Sequence, residues 1–112
     1  MSNVSAGFQG PSPAPVFAAL GDPTRLALLM KLSDGGGRSI AKLSTDTRLT
    51  RQAITKHLHV LEKAGLVSSS RIGRESRFAY RPEPMTQARA YLDTVSAQWD
   101  DALSRLRTLV EG

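Results

Sequence analysis

The 112-residue chain contains no cysteine. That excludes disulfides, thiolate metal ligands and thiol redox chemistry, and it fits a cytoplasmic protein. Histidine occurs only as His57 and His59. Two positions apart on a helix they face different sides, and the sequence places no carboxylate beside either. No nucleophile–base constellation can be assembled, so an enzyme is not expected. No apolar run is longer than that from Leu26 to Met30, which is far too short to span a bilayer, and no membrane partner is expected. Met1 to Pro15 lacks a basic segment followed by an apolar core, so it does not read as a secretory signal. Being rich in Ser, Gly and Pro and almost without charge, it reads as a disordered arm, with residues 16–112 forming one domain. The Gly-rich break at Ser33 to Gly37 lacks the Gly-Lys-Ser/Thr ending of a phosphate-cradling loop.

Acidic residues are scarce where basic ones concentrate. Net charge is +5. Residues 47–82 carry eight basic side chains (Arg48, Arg51, Lys56, Lys63, Arg71, Arg74, Arg77 and Arg81) against Glu62 and Glu75, a balance of +6. Residues 1–46 balance at +1 and residues 83–112 at −2. A strongly basic middle between nearly neutral flanks is the footprint of a polyanion partner.

Inside that middle third lies the stretch from Leu49 to Gly65. Thr50 is suited to cap a helix start and Gly65 to end it in the left-handed conformation. Ile54, Leu58 and Leu61 recur at i, i+4 and i+7 and make one apolar stripe. Gln52, Thr55, Lys56 and His59 fall on the opposite side, presenting donors and no acid. Such a face suits phosphates and base edges in a major groove, so the helix reads as a DNA recognition helix.

The neighbours agree. Val16 to Leu20 predicts a short helix ended by Gly21. Asp22 and Pro23 then open a second helix, with Leu26, Leu29, Met30 and Leu32 as its buried side. Arg38 to Asp46, capped by Ser39 and facing inward with Ile40, Ala41 and Leu43, predicts the first half of a helix-turn-helix. Leu66 to Ile72 and Ser76 to Arg81 predict two strands around Gly73-Arg74-Glu75, with Phe78 and Tyr80 on one face. Arg71, Arg74 and Arg77 near the tip make this hairpin a basic wing. Pro82 and Pro84 stop the strand, and Met85 to Leu109 predicts a long helix. Its stripe of Tyr91, Val95, Trp99, Ala102, Leu106 and Leu109, broadened by Leu92, Leu103 and Val110, exceeds what so small a domain can cover. A two-fold seam is therefore expected from Phe17, Leu20, Tyr91, Leu92, Val95, Trp99, Leu103 and Leu106. The fold class expected is mainly α with a small β-hairpin wing, dimerising through the N- and C-terminal helices.

Leu20-Gly21-Asp22-Pro23-Thr24-Arg25, followed by the run from Ile54 to Val67, resembles the ArsR/SmtB family of winged helix-turn-helix repressors. The resemblance covers Val16 to Tyr80 by motif and extends to Leu109 by helix pattern. It implies a homodimer on an inverted-repeat operator in double-stranded DNA. By it Thr55, Lys56 and His57 occupy the family's Ser/Thr-Arg/Lys-His positions. With Arg51, Gln52 and His59 they complete the expected recognition-helix set. His57, at the edge of the buried stripe, suits packing or a phosphate contact better than base reading. Metal-sensing members carry a Cys-x-Cys type motif where this chain has Ile40-Ala41-Lys42-Leu43-Ser44, or Asp and His ligands in the last helix. Here that helix has Asp93, Asp100 and Asp101 but no histidine. No metal and no cofactor are expected. The alternative readings are a sensor holding an unidentified small molecule at the dimer interface, between Phe17, Trp99 and neighbouring apolar groups, and a winged helix that binds protein instead of DNA.

Overall fold

The structure is a computed structural model that describes residues 12–112. Eight elements follow one another: α1 (Ala14–Leu20), α2 (Pro23–Leu32), β1 (Arg38–Ser39), α3 (Ile40–Thr47), α4 (Arg51–Lys63), β2 (Val67–Ile72), β3 (Glu75–Tyr80) and α5 (Glu83–Glu111). The expected class is what is found, mainly helical with a small antiparallel wing. Most of the expected N-terminal arm, residues 1–11, lies outside the described residues. The part nearest the domain does not: α1 starts at Ala14 rather than Val16. Proline is tolerated in a first helical turn, where amides lack intrahelical partners, and the Val16 amide donates to the Pro13 carbonyl at 3.0 Å.

Asp22 caps α2 by accepting from the Arg25 amide at 3.0 Å, with Pro23 at the first helical position. The buried face of α2 differs from the expected one. Leu28, Leu29 and Leu32 are inside, whereas Leu26 is 46% and Met30 73% exposed. Five consecutive apolar residues give a helical period no unique phase, and contacts from α4 and β3 decide which flank is covered.

The two-residue strand β1 was not expected, since so short a segment has no readable alternation. It pairs with β3 (Arg38 opposite Phe78, Ser39 opposite Arg77) and turns the hairpin into a three-stranded sheet of order β1-β3-β2. The helix expected from Arg38 therefore begins at Ile40, capped by the Ser39 hydroxyl, which accepts from the Lys42 amide at 3.1 Å. Between α3 and α4 the chain reverses through Arg48, which adopts the left-handed conformation at φ 62°. The turn is fastened by hydroxyls. Ser44 donates to the Leu49 carbonyl and Thr47 to the Leu43 carbonyl, each at 2.6 Å.

Thr50 caps α4 as expected, accepting from the Ala53 amide at 3.0 Å. Gly65 ends it at φ +79°, and the Leu66 amide returns to the Leu61 carbonyl at 3.0 Å. A Cβ at Gly65 would meet the Pro84 ring at 3.3 Å, so the start of α5 packs tightly there. Pro84 itself lies in the first turn of α5 rather than ahead of it.

Leu28, Leu32, Leu43, Ile54, Leu58, Leu61 and Leu66 are fully buried and form the core with Phe78 from the sheet. From α5 only Ala88 is buried. Its 29 residues extend about 43 Å, which draws the molecule out to 67 × 26 × 26 Å. The corrected face of α2 has a direct consequence. Leu28→Ala should cost about 2–5 kcal/mol by denaturant unfolding, and Met30→Ser about 0.5 kcal/mol or less. Equal losses at both positions would contradict the packing described.

Candidate nucleic-acid interface

The orientation of α4 follows from where its apolar stripe goes. Ile54, Leu58 and Leu61 are all fully buried, so the residues between them must face outward. Arg51, Gln52, Lys56 and His59 are exposed, and Thr55 and His57 are half-buried on the two flanks of the stripe. The Thr55 hydroxyl donates to the Arg51 carbonyl at 2.8 Å, which leaves its oxygen free to accept. Val60, 40% exposed, is the apolar exception on this outer side.

Glu62 is the only acid in α4. Its carboxylate accepts from the Ser69 hydroxyl of β2 at 2.8 Å. The negative charge is thereby turned toward the wing, and the outer face of α4 stays free of acids.

In the wing, Gly73 and Arg74 form a two-residue turn between the paired Ile72 and Glu75. Gly73 sits at φ 62°, and a first turn residue with positive φ matches the right-handed twist of the strands. The register separates the three arginines. Arg77 lies opposite Ser70 and shares a face with Glu75, to which its guanidinium donates at 3.3 Å. Arg71 lies opposite Ser76, on the other face together with Phe78. Among the described residues neither Arg71 nor Arg74 pairs with an acid. The wing therefore offers Arg71 and Arg74 as open cations, with Arg77 held back by its partner.

His57 departs from expectation. Its Nδ1 lies 3.8 Å from Oδ2 of Asp22, so a carboxylate does stand beside it. The sequence could not place the pair, because 35 positions separate residues that packing of α4 on α2 brings together. Hydrogen bonding from the Arg25 amide, with the nearby charges of Arg25 and His57 also contributing, holds the Asp22 carboxyl below its ordinary 3.8. Arg25 completes the arrangement. Its Nε donates to the Ala19 carbonyl at 2.6 Å and its Nη2 to the Ala18 carbonyl at 3.3 Å, closing the open end of α1. Sequence reading passed over this role, although a cation in the first turn of a helix is unfavourable unless something else holds it. Between α2 and α4 runs an open groove of about 600 Å³ lined by Arg25, Ala53, Thr55, Lys56, His57, His59 and Val60. Among the described residues no three His, Asp or Glu side chains converge as a metal site would require. Among them, too, no helix is long and apolar enough to cross a membrane.

A helix-turn-helix whose second helix shows an acid-free polar face, followed directly by a basic two-stranded hairpin, defines a winged helix-turn-helix DNA-binding protein. Comparison with known proteins narrows the class. Residues 22–69 match the family model described as bacterial regulatory protein, arsR family. The chain is 42% identical over 76 residues to the HTH-type transcriptional regulator YuzN of Bacillus subtilis, covering 62% of this chain and 83% of that one. It is 28% identical over 103 residues to the HTH-type transcriptional repressor SmtB of Mycobacterium tuberculosis, covering 86% of this chain and 74% of that one. In structure it matches an ArsR-like transcriptional regulator from Rhodococcus sp. RHA1 with a TM-score of 0.76 at 37% identity, covering 87% of this chain and 91% of the other. The chain belongs to the ArsR/SmtB family of winged helix-turn-helix regulators. It is a DNA-binding transcriptional regulator and not an enzyme.

Two substitutions separate the parts of the interface. Gln52→Ala, on the exposed outer face of α4, should change sequence preference at one position and cost about 1–3 kcal/mol there. Arg74→Ala should weaken binding to all duplexes together and reduce the salt slope by about one unit. An unchanged affinity and salt slope for Arg74→Ala, in titrations across salt concentrations, would remove the wing from the interface.

Proposed function

We propose that the protein is a homodimeric repressor that binds an inverted-repeat operator in the cytoplasm and thereby excludes polymerase. The observation that carries the dimer is the uncovered apolar side of α5. Leu92, Leu103 and Leu106 are each at least half exposed, Trp99 is 64% exposed, and Leu109 and Val110 are about 80% exposed. So continuous a stripe at helical spacing on a soluble domain calls for a partner surface. A second copy, presenting the same stripe across a two-fold axis, is self-complementary by construction. At the other end of the stripe, α1 joins the seam. Phe17 and Leu20 are half-buried, and Phe17 packs on Tyr91 with ring centroids 6.2 Å apart. Val95, one turn beyond Tyr91, continues the same line.

In this reading Arg51, Gln52, Thr55, Lys56 and His59 face the major groove, while Arg71 and Arg74 hold the adjacent backbone. Two copies related by the seam would place two such surfaces on successive half-sites. The name of the M. tuberculosis relative supports repression as the direction of control. The second reading, a small-molecule effector held at the dimer interface between Phe17, Trp99 and neighbouring apolar groups, has no observation of its own, since within one protomer Phe17 packs on Tyr91.

Sedimentation of the parent chain and of Trp99→Glu tests the seam. The parent should run at twice the chain mass. Trp99→Glu should run as a monomer and lose at least about tenfold in affinity for the inverted repeat, because one half-site alone remains. A monomeric parent that still protects both half-sites would contradict the proposal.

A further inference from the structure

We propose that Arg48, in the turn between α3 and α4, is a further DNA-binding residue, meeting a backbone phosphate at the end of the recognition helix opposite the wing. This rests on the reading of α4 as the helix that enters the major groove. It gives a role to a cation that lies outside both helix and hairpin.

Arg48 stands in a conformation that disfavours its own residue type. Among the described residues it is the only non-glycine one with a positive φ, 62° with ψ 17°. A residue with a Cβ loses stability in that region, whereas glycine enters it freely. The turn itself does not call for a guanidinium. The Arg48 amide donates to the Ser44 carbonyl at 2.9 Å, and that bond needs only the backbone. Ser44, Thr45 and Thr47 hydroxyls donate to the Leu49, Ala41 and Leu43 carbonyls. Every one of these bonds is open to glycine at position 48. The dipole of the eight-residue α3 favours a cation at this end, but by less than the conformation costs.

The charge of Arg48 is uncommitted. Its guanidinium makes no hydrogen bond and no ion pair among the described residues. Asp46, the acid nearest in sequence, is paired with Lys42 at 3.4 Å. Arg38 is paired with Asp34 at 2.7 Å. Of the three basic residues between Arg38 and Thr50, Arg48 is thus the one without an acid.

Placement decides what it meets. Thr47 and Leu49 on either side are half-buried, while Arg48 is exposed, as are Thr50, Arg51 and Gln52 after it. In a helix-turn-helix the first helix crosses the DNA backbone, and the N-terminal residues of the second reach the base edges. The turn joining them passes over the edge of the groove, where phosphates lie. The other end of α4 already has its cations. The Ser69–Glu62 hydrogen bond sets the wing, with Arg71 and Arg74, against that end. The 13 residues of α4 span about 20 Å, so the wing and Arg48 meet separate stretches of backbone.

Conformation and charge predict effects of opposite sign for one substitution, Arg48→Gly in the full chain. In thermal melts at fixed chain concentration the variant should gain about 2–4 °C in Tm, after the greater freedom of glycine in the unfolded chain is counted. In titrations at about 0.1 M salt it should lose roughly five- to tenfold in affinity. The loss should be equal for a duplex of the gene's own upstream region and for a shuffled duplex, with the salt slope reduced by about one unit. Arg48→Lys keeps the cation on the same backbone. It should restore the slope and most of the affinity without the gain in Tm. A stabilised Arg48→Gly chain with parental affinity and slope would overturn the proposal and leave the reading of α4 standing. A fall in Tm together with affinity would overturn it too, because the side chain would then be holding the turn. So would a loss confined to the upstream duplex, which would mean base reading and not phosphate contact. A parent chain that binds neither duplex would strike the reading of α4, and this role with it.

Discussion

The burial of Ile54, Leu58 and Leu61 fixes the rest of the molecule. Three fully enclosed side chains on one stripe leave α4 no freedom to roll about its axis. Its outward residues are therefore chosen by the core, and a change of register by one position toward the C-terminus would bring His59 and Glu62 inward at a prohibitive desolvation cost. The caps at Thr50 and Gly65 set where that helix starts and stops. The Ser69–Glu62 hydrogen bond then sets the wing against its far end.

A second constraint runs through the motif Asp22-Pro23-Thr24-Arg25. Its four residues perform separate tasks in one turn. Asp22 caps α2 and faces His57, Pro23 starts the helix, and Arg25 closes the preceding one. The apolar seam proposed for α1 and α5 is thus linked to the recognition helix through Arg25, hydrogen-bonded to α1 and to Asp22, and through the 3.8 Å approach of Asp22 to His57. Neither half of the molecule can be rotated without breaking contacts in this turn.

Local signals carried most of the fold. The caps Asp22, Ser39 and Thr50, the terminator Gly65, the recognition-helix stripe and the alternation of Phe78 and Tyr80 all stand where their chemistry placed them. What could not be read depends on contacts far apart in sequence. The strand β1 exists only because β3 is there to pair with it. Leu26 and Met30 are uncovered because neighbouring elements reach the other flank of α2. Arg48 takes a left-handed conformation that its residue type does not announce. In the interface the recognition-helix set is exposed or half-exposed as the periodicity required, yet the register splits the wing arginines between two faces. The partner of His57 became visible only once α2 and α4 were packed.

The central claim is that one basic surface, helix plus hairpin, is presented twice by a two-fold apolar seam. Hydroxyl-radical footprinting of the upstream region tests it most directly. The account predicts two symmetric protected half-sites, centred about 34 Å apart along the duplex or at a multiple of that distance, weakening together as salt rises. A single protected site with no symmetry, or protection insensitive to salt, would contradict it.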